Sequence, residues 1–193
     1  MTAVDIDLAS RQYVGEHGET HIKLLPKEYY VTDQPFVLTT VLGSCVAVCL
    51  RDSGTGMAGM NHFMLPDTTV DDAAQSMVYG RHATQRLVDA LLARGARQAG
   101  LEAKIFGGAN VLTDMRHARI GALNAEFART FLAEARIPIR AEDLGGVWPR
   151  QLQYHAGTGI ARVRCLRGVT SELAARERHL ARAVSETVSG ATT

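Results

Sequence analysis

Three cysteines in 193 residues are too few, and wrongly spaced, for the disulfide framework of a small secreted domain or for a Cys-x-x-Cys metal knuckle. Cys45 and Cys49 lie four apart in an apolar run. On a strand their Cα atoms would stand roughly 13 Å apart, beyond the ~7 Å reach of a disulfide. An excess of charge of one sign is also lacking: 21 Lys and Arg against 20 Asp and Glu leave a formal net charge of +1, no field that would gather nucleic acid or an anionic membrane surface. No apolar run approaches the ~20 residues that span a bilayer, and the N-terminus carries no charged-then-apolar leader. Neither Gly-x-x-x-x-Gly-Lys-Ser/Thr nor Gly-x-Gly-x-x-Gly occurs, so the usual phosphate and dinucleotide loops are excluded. What these absences leave is a reduced, cytoplasmic protein with no organic cofactor or metal indicated and no insertion into a membrane. At 46% hydrophobic and 21% charged, its composition fits one globular core.

Along the chain, residues 1–21 are polar and aperiodic and read as a loosely ordered lead-in. Strands are expected over Ile22–Tyr30, Phe36–Leu42, Leu101–Phe106, Ile137–Glu142, Gln151–Tyr154 and Ile160–Leu166, punctuated by glycine or proline. Ala83, Leu87, Val88, Leu91 and Leu92 make a helical stripe that stops at Gly95. Ala128, Phe131, Leu132 and Ala135 make another, on a helix expected over Asn124–Arg136. A third helix is expected over Ser171–Val188. The fold class that follows is α/β (α+β): a layered sandwich of mixed, largely antiparallel sheet with two main helices and a C-terminal helix. The core unit covers 22–168 and the helical tail 169–193.

The chemistry concentrates at one hairpin. Val41-Leu42-Gly43-Ser44-Cys45-Val46 and Gly59-Met60-Asn61-His62-Phe63 flank the turn Asp52-Ser53-Gly54-Thr55. With Ser53-Gly54 as a two-residue tip, Cys45 pairs with His62 on one face, Cβ atoms roughly 4.5–5.5 Å apart. An imidazole beside a thiol raises its nucleophilicity. Backbone N–H groups at Gly43, Ser44 and Cys45 could hold an oxyanion. The competing reading of Cys45 is a buried packing thiol, as Cys49 and Cys165 are expected to be. A redox sensor is disfavoured because no resolving cysteine lies nearby. For the group that orients the histidine, Asp52, Asp67, Thr39 and Asn61 all remain open. Asp67–Asp72 is a polar loop placed to act as a lid or substrate contact. His82 and His117 read as solvent-facing, and Gly107-Gly108 as a close backbone approach.

These segments, with Lys104–Ala109, Ile120-Gly121, Asn124 and Ala141–Gly146, resemble the CheD family of chemoreceptor glutamine deamidases. The resemblance implies a CheD-like cysteine hydrolase that converts receptor glutamines to glutamate without a cofactor. It implies Cys45 as nucleophile, His62 as general base and Thr39 as the residue orienting the histidine, with Gly43, Ser44 and Asn61 shaping the site. It further implies methyl-accepting chemotaxis receptors as substrates, action on receptor methyl esters, and a CheC-type phosphatase as partner. Leu123 departs from the family's usual arginine.

Overall fold

The computed structural model describes residues 11–64, 73–111 and 115–167. Among these residues ten strands form two five-stranded sheets: β1 (Gln12–Val14), β2 (Thr20–Lys23), β3 (Tyr29–Thr32), β4 (Val37–Leu42), β5 (Val46–Asp52), β6 (Ala58–Asn61), β7 (Leu101–Gly107), β8 (Ile139–Leu144), β9 (Arg150–His155) and β10 (Ile160–Cys165). The first sheet runs β1-β2-β4-β9-β10 and the second β3-β6-β5-β7-β8. All neighbours pair antiparallel except β2 with β4 and β7 with β8. Helices α1 (Ala73–Ala93) and α2 (Met115–Glu134) pack against the second sheet. The mixed, largely antiparallel sandwich with two main helices therefore holds. The helix expected over Ser171–Val188 and the loop Asp67–Asp72 lie outside the described residues. No helix among those residues is long and apolar enough to cross a membrane.

Two apolar layers follow from period-two alternation. Leu38, Leu42, Leu152 and Tyr154 of the first sheet meet Ala47, Cys49, Met60 and Phe106 of the second. The opposite parity of β5, Val46, Val48 and Leu50, meets Leu87 and Leu91 of α1 and Phe127 and Phe131 of α2. Strand β5 is thus buried on both faces, which explains its unbroken apolar run.

Three of the differences from the sequence reading have a local reason. Residues 11–21 are not a loose lead-in: β1 and β2 form a hairpin, with Tyr13 opposite His21. Ile22–Tyr30 is not one strand but β2 and β3, which lie in different sheets. Pro26 cannot donate to a ladder, Lys27 adopts φ 74°, and the chain crosses between sheets there. Helix α2 begins well before Asn124 and runs through Gly121. A Cβ on Gly121 would stand 2.6 Å from the Gly108 carbonyl oxygen, so glycine lets the helix backbone touch the loop after β7. His117 therefore lies on a helix rather than in a loop.

The β5–β6 hairpin is closed by Asp52, whose backbone N–H donates to Met57 at 2.9 Å. Its buried carboxylate accepts from the backbone N–H groups of Gly54 at 2.8 Å and Arg97 at 2.9 Å and from the Arg97 guanidinium at 3.2 Å. That guanidinium holds the carboxyl well below the usual carboxylate range. The resulting stability is present above the unfolded carboxyl value and is lost as pH falls below it. Asp52→Asn should cost about 1–3 kcal/mol near neutral pH. Thermal melts against pH should show the gap to wild type narrowing below about pH 4.

Candidate active site

The hairpin loop spans four residues rather than two, because Met57, not Thr55, pairs with Asp52. Cys49 accordingly faces Met60 and Val46 bridges Phe63. This register aligns Cys45 with Met64 and His62 with Ala47, two residues away from the expected pairing. A two-residue shift preserves the face, whereas a one-residue shift would reverse it. Cys45 and His62 are therefore diagonal neighbours on the inter-sheet side, at a separation of roughly 7–8 Å between backbones. Both are buried.

Across the gap, Thr40 on β4 meets the imidazole: its Oγ1 lies 2.8 Å from His62 Nδ1. The same hydroxyl donates to the Leu24 carbonyl at 2.9 Å. A hydroxyl has one hydrogen, and a carbonyl can only accept. With that hydrogen committed to Leu24, Thr40 must accept from Nδ1–H, which fixes the tautomer and leaves the lone pair on Nε2. Nε2 is buried and has no hydrogen-bond partner among the described residues. Burial also holds the imidazole down at about 3 from an ordinary 6.5, so it rests neutral, as a base must.

Thr39, expected at the imidazole, does not contact it. It faces the opposite side of β4, where its Oγ1 approaches the Tyr13 hydroxyl at 3.5 Å. Leu38, Thr40 and Leu42 share the inward parity, and that alternation is the sequence signal that points to Thr40 instead. Asn61 likewise faces away from the thiol: its Oδ1 accepts from Val48 N–H at 2.9 Å and its amide donates to Thr84 on α1 at 3.5 Å, a brace between β5, β6 and the helix layer. Asp52 is spent at the hairpin end, and Asp67 lies outside the described residues.

The approach to Cys45 is held by backbone contacts. Ala109 N–H donates to the Gly43 carbonyl at 2.7 Å and Gly108 N–H to the Cys45 carbonyl at 2.8 Å. The Asn124 amide donates to the Ser44 carbonyl at 2.8 Å. Gly107 is irreplaceable in this geometry, since its φ is 115° and an added Cβ would stand 2.2 Å from the Cys45 carbonyl oxygen. Ser44 Oγ reaches Met64 Sδ at 3.7 Å. Asn124 is a site residue that strand and hairpin reasoning does not find. The signal for it is its place on the Ile120-Asn124-Ala128 face of α2, an i, i+4 row.

The other thiols separate cleanly. Burial pushes the Cys49 thiol far up, away from the thiolate form a nucleophile needs. Cys165 is exposed, which corrects its reading as a packing thiol. His82 is exposed as expected. Among the described residues no group of three or more His, Cys, Asp or Glu gathers to hold a metal.

Two outcomes follow from the imidazole. Below pH 6.5 the unfolded chain binds a proton that folded His62 refuses down to about 3, so stability should fall with pH across that window. Acid titration of His62→Gln, monitored by circular dichroism, should show a shallower loss. Thr40→Val should slow alkylation of Cys45 by iodoacetamide about tenfold through loss of the reactive tautomer. Thr39→Val should leave that rate within about twofold. Alkylation must be read by peptide mass spectrometry, because exposed Cys165 also reacts.

A family model described as CheD chemotactic sensory transduction matches residues 64–165, beginning two residues after His62. A protein named "Probable chemoreceptor glutamine deamidase CheD" from Burkholderia mallei (strain SAVP1) is 48% identical over 181 residues, covering 92% of this chain and 77% of the relative. A protein of the same name from Burkholderia vietnamiensis (strain G4 / LMG 22486) is 47% identical, covering 92% and 74%. Among solved structures, the hypothetical protein YfiH of Bacillus licheniformis overlaps 60% of this chain and 49% of its own, with a TM-score of 0.41 at 19% identity. With the family model spanning just over half of the chain and relatives nearly half identical along almost all of it, the chain belongs to the CheD family.

Proposed function

We propose that the protein is a cysteine-dependent deamidase that converts glutamine side chains of chemoreceptors to glutamate. One observation carries the chemistry: the relay from the Leu24 carbonyl through Thr40 to His62 Nδ1, which leaves an unprotonated Nε2, its lone pair free, on the face it shares with Cys45. The substrate class rests on the printed name of relatives about half identical to this chain.

In this mechanism His62 Nε2 takes the Cys45 proton as the sulfur attacks the carboxamide carbon. The carbonyl oxygen becomes an oxyanion. Because peptide units are planar and trans, fixing the Gly43 and Ser44 carbonyls on Ala109 and Asn124 aims the N–H groups of Ser44 and Cys45 the opposite way. They are the natural donors for that oxyanion. The imidazolium then returns its proton to the departing nitrogen, the C–N bond breaks, and ammonia leaves a thioester on Cys45. His62 next takes a proton from water, hydroxide attacks the thioester, the C–S bond breaks, and glutamate and the thiol are released. A receptor methyl ester fits the same acyl-transfer sequence, with methanol leaving in place of ammonia. Thr40 holds the ring in position throughout, including while it is charged.

The test is incubation of the full chain with a glutamine-bearing receptor cytoplasmic domain, followed by ammonia release and by mass mapping of glutamine-to-glutamate conversion. Cys45→Ala should lower the rate by more than about 10³-fold while the protein stays folded. Cys165→Ser should stay within about twofold of wild type. Wild-type turnover in Cys45→Ala would end the thioester mechanism.

A further inference from the structure

The turn between β8 and β9 lies against the nucleophile loop on two sides. Gly145 N–H donates to the Gly107 carbonyl at 2.9 Å, and Asn110 N–H donates to the Gly146 carbonyl at 2.7 Å. These contacts bind the turn to the segment that also holds Gly43 and Cys45. On the other side Leu42 pairs with Arg150, so the strand that follows the turn runs beside the one that leads into the nucleophile loop. The turn is also stiff at its base. Buried Arg150 donates to the Asp143 carbonyl at 2.5 Å and carboxylate at 2.6 Å, and to the Gly145 carbonyl.

The residues this scaffold displays are apolar. Leu144-Gly145-Gly146-Val147-Trp148-Pro149 carries no charge, yet Val147 is 58% and Trp148 38% exposed. On the helix side of the same loop, Leu123 is 46% exposed and directly precedes Asn124, which holds the Ser44 carbonyl. Large apolar side chains displayed on a braced backbone lose little entropy on contact, and tryptophan is the residue most enriched at binding hot spots. Cys45 is itself buried, so a protein substrate that delivers a side chain to it must cover surface over the nucleophile loop.

We propose that Trp148, with Val147 beside it and Leu123 on the helix side, forms an apolar ledge that positions the protein substrate, so that the substrate residues flanking the target glutamine are apolar rather than charged. The inference rests on the deamidase reading for its substrate, and its first readout does not depend on turnover. The chain has a single tryptophan, so indole emission reports this surface alone. Titrating full-length Cys45→Ala protein with a tryptophan-free receptor cytoplasmic fragment should move the emission to the blue and saturate. In the active protein, Trp148→Ala should raise KM for the receptor about tenfold with kcat within about twofold. Trp148→Phe should recover most of the loss, and Cys45 alkylation by iodoacetamide should be unchanged. If Trp148→Ala fails to fold, Val147→Asp supplies the KM measurement.

An emission that stays put, or an unchanged KM while the receptor is deamidated, overturns the ledge and leaves the deamidase intact. A saturating blue shift with no deamidation by wild type upholds the ledge and removes the chemistry. Neither shift nor deamidation removes both.

Discussion

Strand β5 is the constraint from which the rest of the molecule follows, because it must bury both of its faces at once. Val46, Val48 and Leu50 require a helix layer; Ala47 and Cys49 require a second sheet. Burying a Val- or Leu-sized side chain contributes roughly 1.5–3 kcal/mol, so neither face can be left to water without a large fraction of a domain's net stability being lost. A sheet covered on one side by helices and on the other by a sheet is the arrangement that meets both demands. Cys45 stands at the entry to this strand, which gives it a fixed backbone and an interior address.

The polar contact between the sheets is costly to leave incomplete and is therefore a precise positioning device. His62 arrives from the second sheet, Thr40 from the first, and Leu24 from the crossing between them. Three segments distant in sequence satisfy one another with two hydrogen bonds. A buried hydroxyl or ring N–H without a partner would cost about 1–3 kcal/mol, so the folded state holds all three in register. The same burial that keeps the imidazole neutral also strips it of competing water, which strengthens the electrostatics of any charge formed beside it.

Much of this site can be read from the residues. The Gly-Ser-Cys turn, the histidine seventeen residues on, and their common face follow from period-two alternation once a hairpin is granted. The turn length does not, because Ser53-Gly54-Thr55-Gly56 can form a loop of two residues or four. Only the Asp52 contacts to Met57, Gly54 and Arg97 choose between them. The expected pairing survived in the property that matters, the face, since the error was an even number of residues. The threonine that meets the imidazole is the opposite case. Thr39 and Thr40 are adjacent, identical in type and opposite in direction, so a displacement of one residue exchanges an inward hydroxyl for an outward one. Leu38 and Leu42 already mark the inward parity, and that local pattern outweighs motif position as a guide.

By itself the sequence determined the layered class, the two amphipathic helices, the buried central strand and the cysteine–histidine hairpin. Each of these rests on periodicity, turn chemistry or composition, which are properties of neighbouring residues. Tertiary structure alone decided that Pro26 marks a crossing between sheets, that Gly121 belongs inside a helix, that Asn124 holds the Ser44 carbonyl, and that Thr40 meets His62. These depend on which distant segments pack together, and the free energy that selects them comes from contacts between surfaces that no short window of sequence contains.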